Sequence, residues 1–269
     1  MTDGDAVFAG SIPAVYDRHL GDMLFAPFAE ILAKRATAQS PRTVLEIAAG
    51  TGIVTRALHA ALPGATIVAT DLNAPMLAHG ATRLSAPNLT WQQADALSLP
   101  FDDGAFDLVV CQFGVMFFPD RMQAFRESRR VLAPGGRYVF TTWASIEHSP
   151  LADIVARAAA DAFPDDPPSF LARTPYGHGD SAVTETELRA AGFTKVDITT
   201  IDAPSRAASP YDPAIGFCQG TPLRSEIEGR DPARLAAVTE SAARAVAARY
   251  GEGPIEATMR AFVFDARSS

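Results

Sequence analysis

Cysteine is nearly absent from this chain of 269 residues: only Cys111 and Cys218 occur, far apart and in no Cys-x-x-Cys pair. That excludes a disulfide framework and offers no zinc-ligand spacing, so no metal site is expected. Cys111 lies inside an apolar run and reads as a small core residue rather than a nucleophile. Positive charge is also scarce. The 23 Lys and Arg residues face 31 Asp and Glu, for a net charge of -8 and a pI of about 5.1. No Lys/Arg cluster occurs, so a phosphate-backbone partner would find no basic face, and no nucleic-acid partner is expected. Long hydrophobic runs are missing as well. The longest, Leu108 to Phe118, is interrupted by Gln112 and is too short for a membrane span. The opening, Met1 to Gly10, lacks the charged and apolar regions of a secretory signal. Together these absences predict a soluble, cytoplasmic protein; nothing in them sets an oligomeric state.

What is present is an ordinary globular composition, 48% hydrophobic and 20% charged, in a length that suits one large domain. Ala14 to Ala38 carries apolar residues at helical spacing and predicts two short helices broken at Pro27. From Thr43 the pattern changes to short aliphatic and β-branched runs separated by helical stretches. Strands are expected at 43–48, 65–70, 89–94, 106–111 and 137–143. Helices are expected at 53–62, 74–84, with Asn73 as the cap, and 121–132. Strand runs alternating with helices predict βαβ units and a parallel sheet. The runs are continuous, as they are when helices cover both faces. Beyond Trp143 a helix is expected at 151–163 and a loop at 164–181. A helix opened by a Thr184–Glu187 capping box and a strand at 195–201 follow. Then come a long, mainly helical stretch at 212–250 and a last strand at 258–265. The fold class is therefore α/β: a doubly wound, mostly parallel seven-stranded sheet with helices on both faces, N-terminal lid helices and a helical cap. Residues 1–40 would be the lid and 41–145 the ligand-binding core. Residues 146–183 and 203–255 would be cap insertions, with 184–202 and 256–269 completing the core.

In an open α/β sheet, ligands bind beyond the carboxyl ends of the strands, at the point where strand order reverses. The distinctive residues fall there. Glu46-Ile-Ala-Ala-Gly-Thr-Gly52 follows the first strand, and Gly50 and Gly52 permit a tight turn and a close ligand. Asp71 ends the second strand about twenty positions on, where a carboxylate can accept from two ribose hydroxyls. Asp95-Ala96 follows the third, and a carboxylate beside a backbone N–H can read an adenine edge. A dinucleotide fingerprint would need a third glycine, and Thr55 stands in its place. A nicotinamide-dependent oxidoreductase is thus the weaker reading.

Five motifs stand in order: Val44–Gly52, Asp71-Leu-Asn-Ala-Pro-Met-Leu77, Asp95–Phe101, Phe106-Asp-Leu-Val-Val110 and Arg130-Val-Leu-Ala-Pro-Gly-Gly136. Over Thr43 to Trp143 the chain resembles the class I S-adenosylmethionine-dependent methyltransferases, in the branch that includes quinone-biosynthesis and other small-molecule enzymes. The resemblance implies S-adenosyl-L-methionine as cofactor and methyl transfer to an O, C or N nucleophile of a small-molecule substrate. It implies that Glu46, Ala48, Gly50 and Gly52 flank the methionine part and that Asp71 holds the ribose. Leu72 and Met76 would line the adenine, Asp95 and Ala96 would read its edge, and Gln112 and Phe113 would sit beside the sulfonium. Tyr16, in the opening helices, resembles the lid of that branch. The family usually carries glycine where this chain has Ala48, which predicts a slightly shifted loop.

Because the sulfonium already activates the methyl group, orientation and water exclusion carry most of such a reaction. A base of near-neutral pKa helps where the nucleophile must lose a proton. His148, just past the fifth strand, and His178, in Tyr176-Gly-His-Gly-Asp180, are the candidate bases by position, against the plainer reading of solvated loop histidines. A methyltransferase-like fold that binds the cofactor without turnover is the remaining alternative.

Overall fold

The strands expected from the apolar runs alternate between two cores rather than between core and water. In the computed structural model, which describes residues 5–8 and 10–267, Val44, Leu108, Val110, Val139 and Val263 belong to one buried cluster. Their neighbours Leu45, Val109, Cys111, Tyr138, Phe140 and Phe264 belong to another. Alternation of period two therefore buries nearly every position, which is why the runs read as continuous. The reading of Met1 to Gly10 lies partly outside the described residues.

The chain opens with helices α1 (Ile12–Leu20) and α2 (Ala26–Ala36), then strand β1 (Thr43–Glu46) and α3 (Ile53–Ala61). Next come β2 (Thr66–Asp71), α4 (Ala74–Arg83), β3 (Leu89–Gln93), β4 (Phe106–Gln112), α5 (Arg121–Arg130) and β5 (Leu132–Trp143). They are followed by α6 (Pro150–Asp161), α7 (Phe170–Arg173), α8 (Ser181–Ala190) and β6 (Lys195–Ala207). Last are α9 (Tyr211–Gln219), α10 (Leu223–Arg230), α11 (Leu235–Tyr250) and β7 (Ile255–Arg267). The seven strands lie in the order β3-β2-β1-β4-β5-β7-β6. The pairs β1–β2, β1–β4, β2–β3 and β4–β5 are parallel. The chain thus winds outward from β1 in one direction and from β4 in the other, which places the ligand crevice at their carboxyl ends.

Chain contacts divide the protein into two units. A sheet unit comprises Phe28–Thr142, Asp180–Ile201 and Ala261–Ser269, and a helical unit comprises Met1–Pro27, Trp143–Gly179 and Asp202–Arg260. Within the sheet unit, α2 and α3 cover one face through Leu32, Ala36, Val54 and Leu58. Helices α5 and α8 cover the other through Ala124, Phe125 and Leu188. One edge is braced by a buried ion pair. Arg137 donates from Nε to Asp265 Oδ1 (3.1 Å), from Nη2 to Asp265 Oδ2, and from Nη1 to the Arg35 carbonyl (3.1 Å). Within the helical unit, α1 packs on α9, and α11 packs on α6 and α9. Among the described residues no helix is long and apolar enough to cross a membrane.

Several local expectations are corrected. The break between the first two helices is not at Pro27 but in a π turn, Gly21–Phe25, ahead of it. Pro27 occupies the first turn of α2, where its missing N–H costs nothing. The Thr184–Glu187 box does not open α8. The helix starts earlier, at Ser181, with Asp180 accepting from the Ala182 N–H (2.9 Å), and Thr184 is buried inside it. Strands β6 and β7 run well beyond their apolar centres.

Candidate functional site

β1 ends at Glu46, and the chain then passes through three residues in the left-handed region: Ala48 (φ 55°), Gly50 (φ 57°) and Gly52 (φ 79°). The turn is tied to its neighbours. Ile47 N–H donates to the Val110 carbonyl and Ala49 N–H to the Thr70 carbonyl, each at 2.8 Å. Gly50 N–H donates to Asp71 Oδ2 (2.9 Å), so the carboxylate that ends β2 anchors the loop that ends β1. Asp71 Oδ1 accepts from Asn73 N–H (2.8 Å) and from Asn73 Nδ2 (3.4 Å). Asn73 stands at the start of α4, but its side chain makes no cap and serves Asp71 instead. At Gly52 a Cβ would stand 2.5 Å from the Trp91 ring, so the loop lies flush against β3.

Two carboxyls are buried here. Glu46 is 1% exposed and Asp71 8%. Glu46 Oε2 has no hydrogen-bond partner among the described residues. Burial pushes the Glu46 carboxyl up to about 8; Thr55 pulls against that shift, Asp71 adds to it and Arg56 opposes it. Burial also raises Asp71, against the opposing N–H groups of Asn73 and Gly50. Thr55 is fully buried beside Glu46, at the position where a dinucleotide site needs glycine for close packing of the helix on the strand. Cys111 is buried, and desolvation drives its thiol up to about 12, which leaves no reactive thiolate.

The other expected residues of the sheet unit gather at the same strand ends. Leu72 is 53% exposed, and its carbonyl is held by Gln93 Nε2 at 2.7 Å. Met76 is buried, with its Cε 3.5 Å from where a Cβ on Gly50 would stand, so it packs under the loop. Asp95 is exposed and its Oδ1 accepts from Leu97 N–H (2.9 Å), closing its own turn; Ala96 beside it is buried. Gln112 ends β4. Phe113 follows with φ 53°, its N–H shared between the Thr141 carbonyl (3.2 Å) and Thr141 Oγ1 (3.1 Å), and its ring edge-on to Phe28 at 5.2 Å. Next to it, a Cβ on Gly114 would stand 2.5 Å from Ala48 Cβ. Sequence reasoning missed Trp91, Thr141 and Gly114, which shape the site without motif status.

The remaining candidates lie in the helical unit. Tyr16 is half-buried and stacks on Phe25 (4.9 Å, 17°). His148 is exposed, its Nδ1 3.1 Å from Ser145 Oγ. His178 is half-buried and precedes Gly179, whose Cβ would stand 2.6 Å from the Ser145 nitrogen. The segments carrying these two histidines therefore meet at Ser145. A third histidine is oriented by a carboxylate. His19 Nδ1 lies 3.1 Å from Asp212 Oδ1, and Asp212 Oδ2 accepts from Ser209 N–H and Oγ (3.0 and 3.2 Å).

Residues 45–140 match the family profile described as "Methyltransferase domain". The demethylmenaquinone methyltransferase of Thermus thermophilus is 44% identical over 106 residues, which cover 39% of this chain and 48% of that protein. Over residues 45–140, this core of strands and loops is therefore similar to methyltransferase domains. The chain spans about half the length of the curated relatives it matches. Among solved structures, the chain is similar in fold to the YcgJ protein of Bacillus subtilis (TM-score 0.58, 20% identity, 90% of this chain and 98% of that one). It is also similar in fold to phosphoethanolamine N-methyltransferase 2 of Haemonchus contortus, solved with phosphomonomethylethanolamine and S-adenosylhomocysteine (TM-score 0.61, 15% identity, 96% of this chain and 57% of that one).

Proposed function

We propose that the protein transfers the methyl group of S-adenosylmethionine to a nucleophilic O, N or C atom of a small molecule by in-line displacement. The observation that carries this reading is the loop from Glu46 to Gly52. It is a left-handed turn pinned by Asp71, with a buried, unpartnered Glu46 oxygen at its root and Thr55 where a dinucleotide fold packs its helix on a third glycine. That donor set suits an amino-acid end and a ribose, and does not suit a dinucleotide.

In this reading the loop backbone at Ala48, Gly50 and Gly52 lies along the methionine part, with Glu46 toward its ammonium. Asp71 holds the ribose hydroxyls while keeping the loop in place through Gly50. The exposed Leu72 and the buried Met76 bracket the adenine, and Asp95 and Ala96 meet its edge. Gln112 and Phe113 border the reacting centre. When bound, the cofactor supplies the activated methyl group. The protein's part is alignment and exclusion of water, for which orientation alone is worth roughly 7–11 kcal/mol.

Acceptor choice belongs to the helical unit, including the lid residue Tyr16 and the segments around 146–183 and 203–255. Its rings form a continuous row: Phe8 on Tyr16 (5.9 Å), Tyr16 on Phe25, Phe25 on Trp143 (6.3 Å) and Trp143 on Tyr176 (5.7 Å). Such a wall favours a partly apolar acceptor. His148 and His178 are the candidate bases, and the Asp212-oriented His19 joins them because a carboxylate on Nδ1 fixes the tautomer. The test is transfer of methyl label from S-adenosylmethionine into a small-molecule metabolite extract. The reading predicts a labelled low-mass product that disappears with Asp71→Ala. Cofactor binding with no label in any low-mass fraction would leave a binding protein and overturn the transfer.

A further inference from the structure

Glu46 is placed where a carboxylate is hard to keep charged. It sits at the end of β1, between β2 and β4, and is 1% exposed. No ion pair reaches it among the described residues, and Oε2 has no hydrogen-bond partner there. The charged or titratable groups that face it are few. From β2 comes the buried Asp71, which opposes a second negative charge; from α3 comes Arg56, whose Nη1 donates to the Thr51 carbonyl (3.2 Å). From β4 comes the thiol of Cys111, neutral at ordinary pH. A charge buried this way is strongly disfavoured unless a counter-ion arrives, so the ligand-free protein keeps the proton.

We propose that Glu46 is a proton-coupled selector for the amino-acid end of the ligand: it is neutral in the ligand-free protein and gives its proton to solvent when a ligand ammonium binds beside it. The idea rests on the cofactor reading above. Two consequences follow from linkage. Binding of S-adenosylhomocysteine near pH 6.5 releases close to one proton. Its Kd falls about tenfold per pH unit up to about pH 8 and is level above that, because only the ionised carboxyl meets the ammonium. A thioether lacking the amino-acid end, 5′-methylthioadenosine, draws no proton from the site, so the preference for S-adenosylhomocysteine over it widens as pH rises.

The test is calorimetric titration of both ligands at pH 6.0, 7.0, 8.0 and 9.0, at each pH in two buffers of different ionisation enthalpy. Wild type should release close to one proton with S-adenosylhomocysteine at the lowest pH and none with 5′-methylthioadenosine. Glu46→Gln, which replaces the neutral acid with a near-isosteric amide, should bind S-adenosylhomocysteine with a Kd that is level across the range and no proton release. A level wild-type Kd, or proton release that persists in Glu46→Gln, would overturn the proposal while leaving the cofactor reading intact. Failure of wild type to bind S-adenosylhomocysteine at any pH would overturn both.

Discussion

Replacing Ala48 with glycine should stabilise the protein, an unusual outcome for a substitution beside a binding loop. Ala48 has φ 55°, in the left-handed region that an L side chain enters at a cost of about 1–2 kcal/mol. Glycine would remove that cost but lose more backbone entropy on folding, about 0.5–1 kcal/mol. The net expectation is a gain of about 0.5–1 kcal/mol, or about 1–3 °C in Tm for a chain of this size. The methyl is also one of two groups that exclude a side chain at Gly114, since a Cβ there would stand 2.5 Å from Ala48 Cβ and 2.7 Å from Cys111 Sγ. Gly114→Ala should therefore be strongly destabilising in wild type and partly relieved by Ala48→Gly, because one of the two clashes disappears. Thermal and urea denaturation of the two single variants and the double variant read the effect directly. A loss of stability in Ala48→Gly, or strict additivity of the two substitutions, would refute this account of the loop.

Gly52→Ala should cost about 2–4 kcal/mol, combining left-handed strain with a Cβ 2.5 Å from the Trp91 ring; trimming Trp91 to Phe in the same chain should recover part of the loss in a urea titration. Asp265→Asn should cost about 3–5 kcal/mol at pH 7, because it leaves the Arg137 guanidinium buried without its counter-charge. Burial tends to raise Asp265, but Arg137 and Arg267 together outweigh it and hold the carboxyl below its usual range. Its contribution is therefore present above the ordinary carboxylate pKa of about 4, and the gap between variant and wild type should close as pH falls toward 3. Glu46 has the opposite sign. Its folded-state pKa of about 8 lies above the unfolded value, so its ionisation weakens the fold as pH rises through that interval. Glu46→Gln should raise Tm relative to wild type by an amount that grows from pH 5 to pH 8.

The central stretch from Thr43 to Trp143 was legible because its signals are local. Valine and leucine runs need no partner to be recognised as strands, and Gly50, Gly52 and Asp71 carry their roles in residue type and spacing. What escaped was set by tertiary contact. Asn73 occupies the cap position of α4 as its residue type suggests, yet its side chain makes no capping hydrogen bond, and its Nδ2 lies 3.4 Å from Asp71 Oδ1 instead. Thr184 and Glu187 spell a capping box, yet Asp180 captures the helix start three residues earlier. The helical unit was hardest to read because its contacts join distant positions. The aromatic row links residues 8, 16, 25, 143 and 176, and the His19–Asp212 contact spans 193 positions. Position after a strand drew attention to His148, whereas the carboxylate partner of His19 is visible only in three dimensions.

The most direct test of the central claim is calorimetric titration of the protein at pH 8 with S-adenosylhomocysteine and, separately, with NAD. Saturable one-site binding of S-adenosylhomocysteine, lost or severely weakened in Asp71→Ala, and no binding of NAD are expected. Binding of NAD without S-adenosylhomocysteine would contradict it.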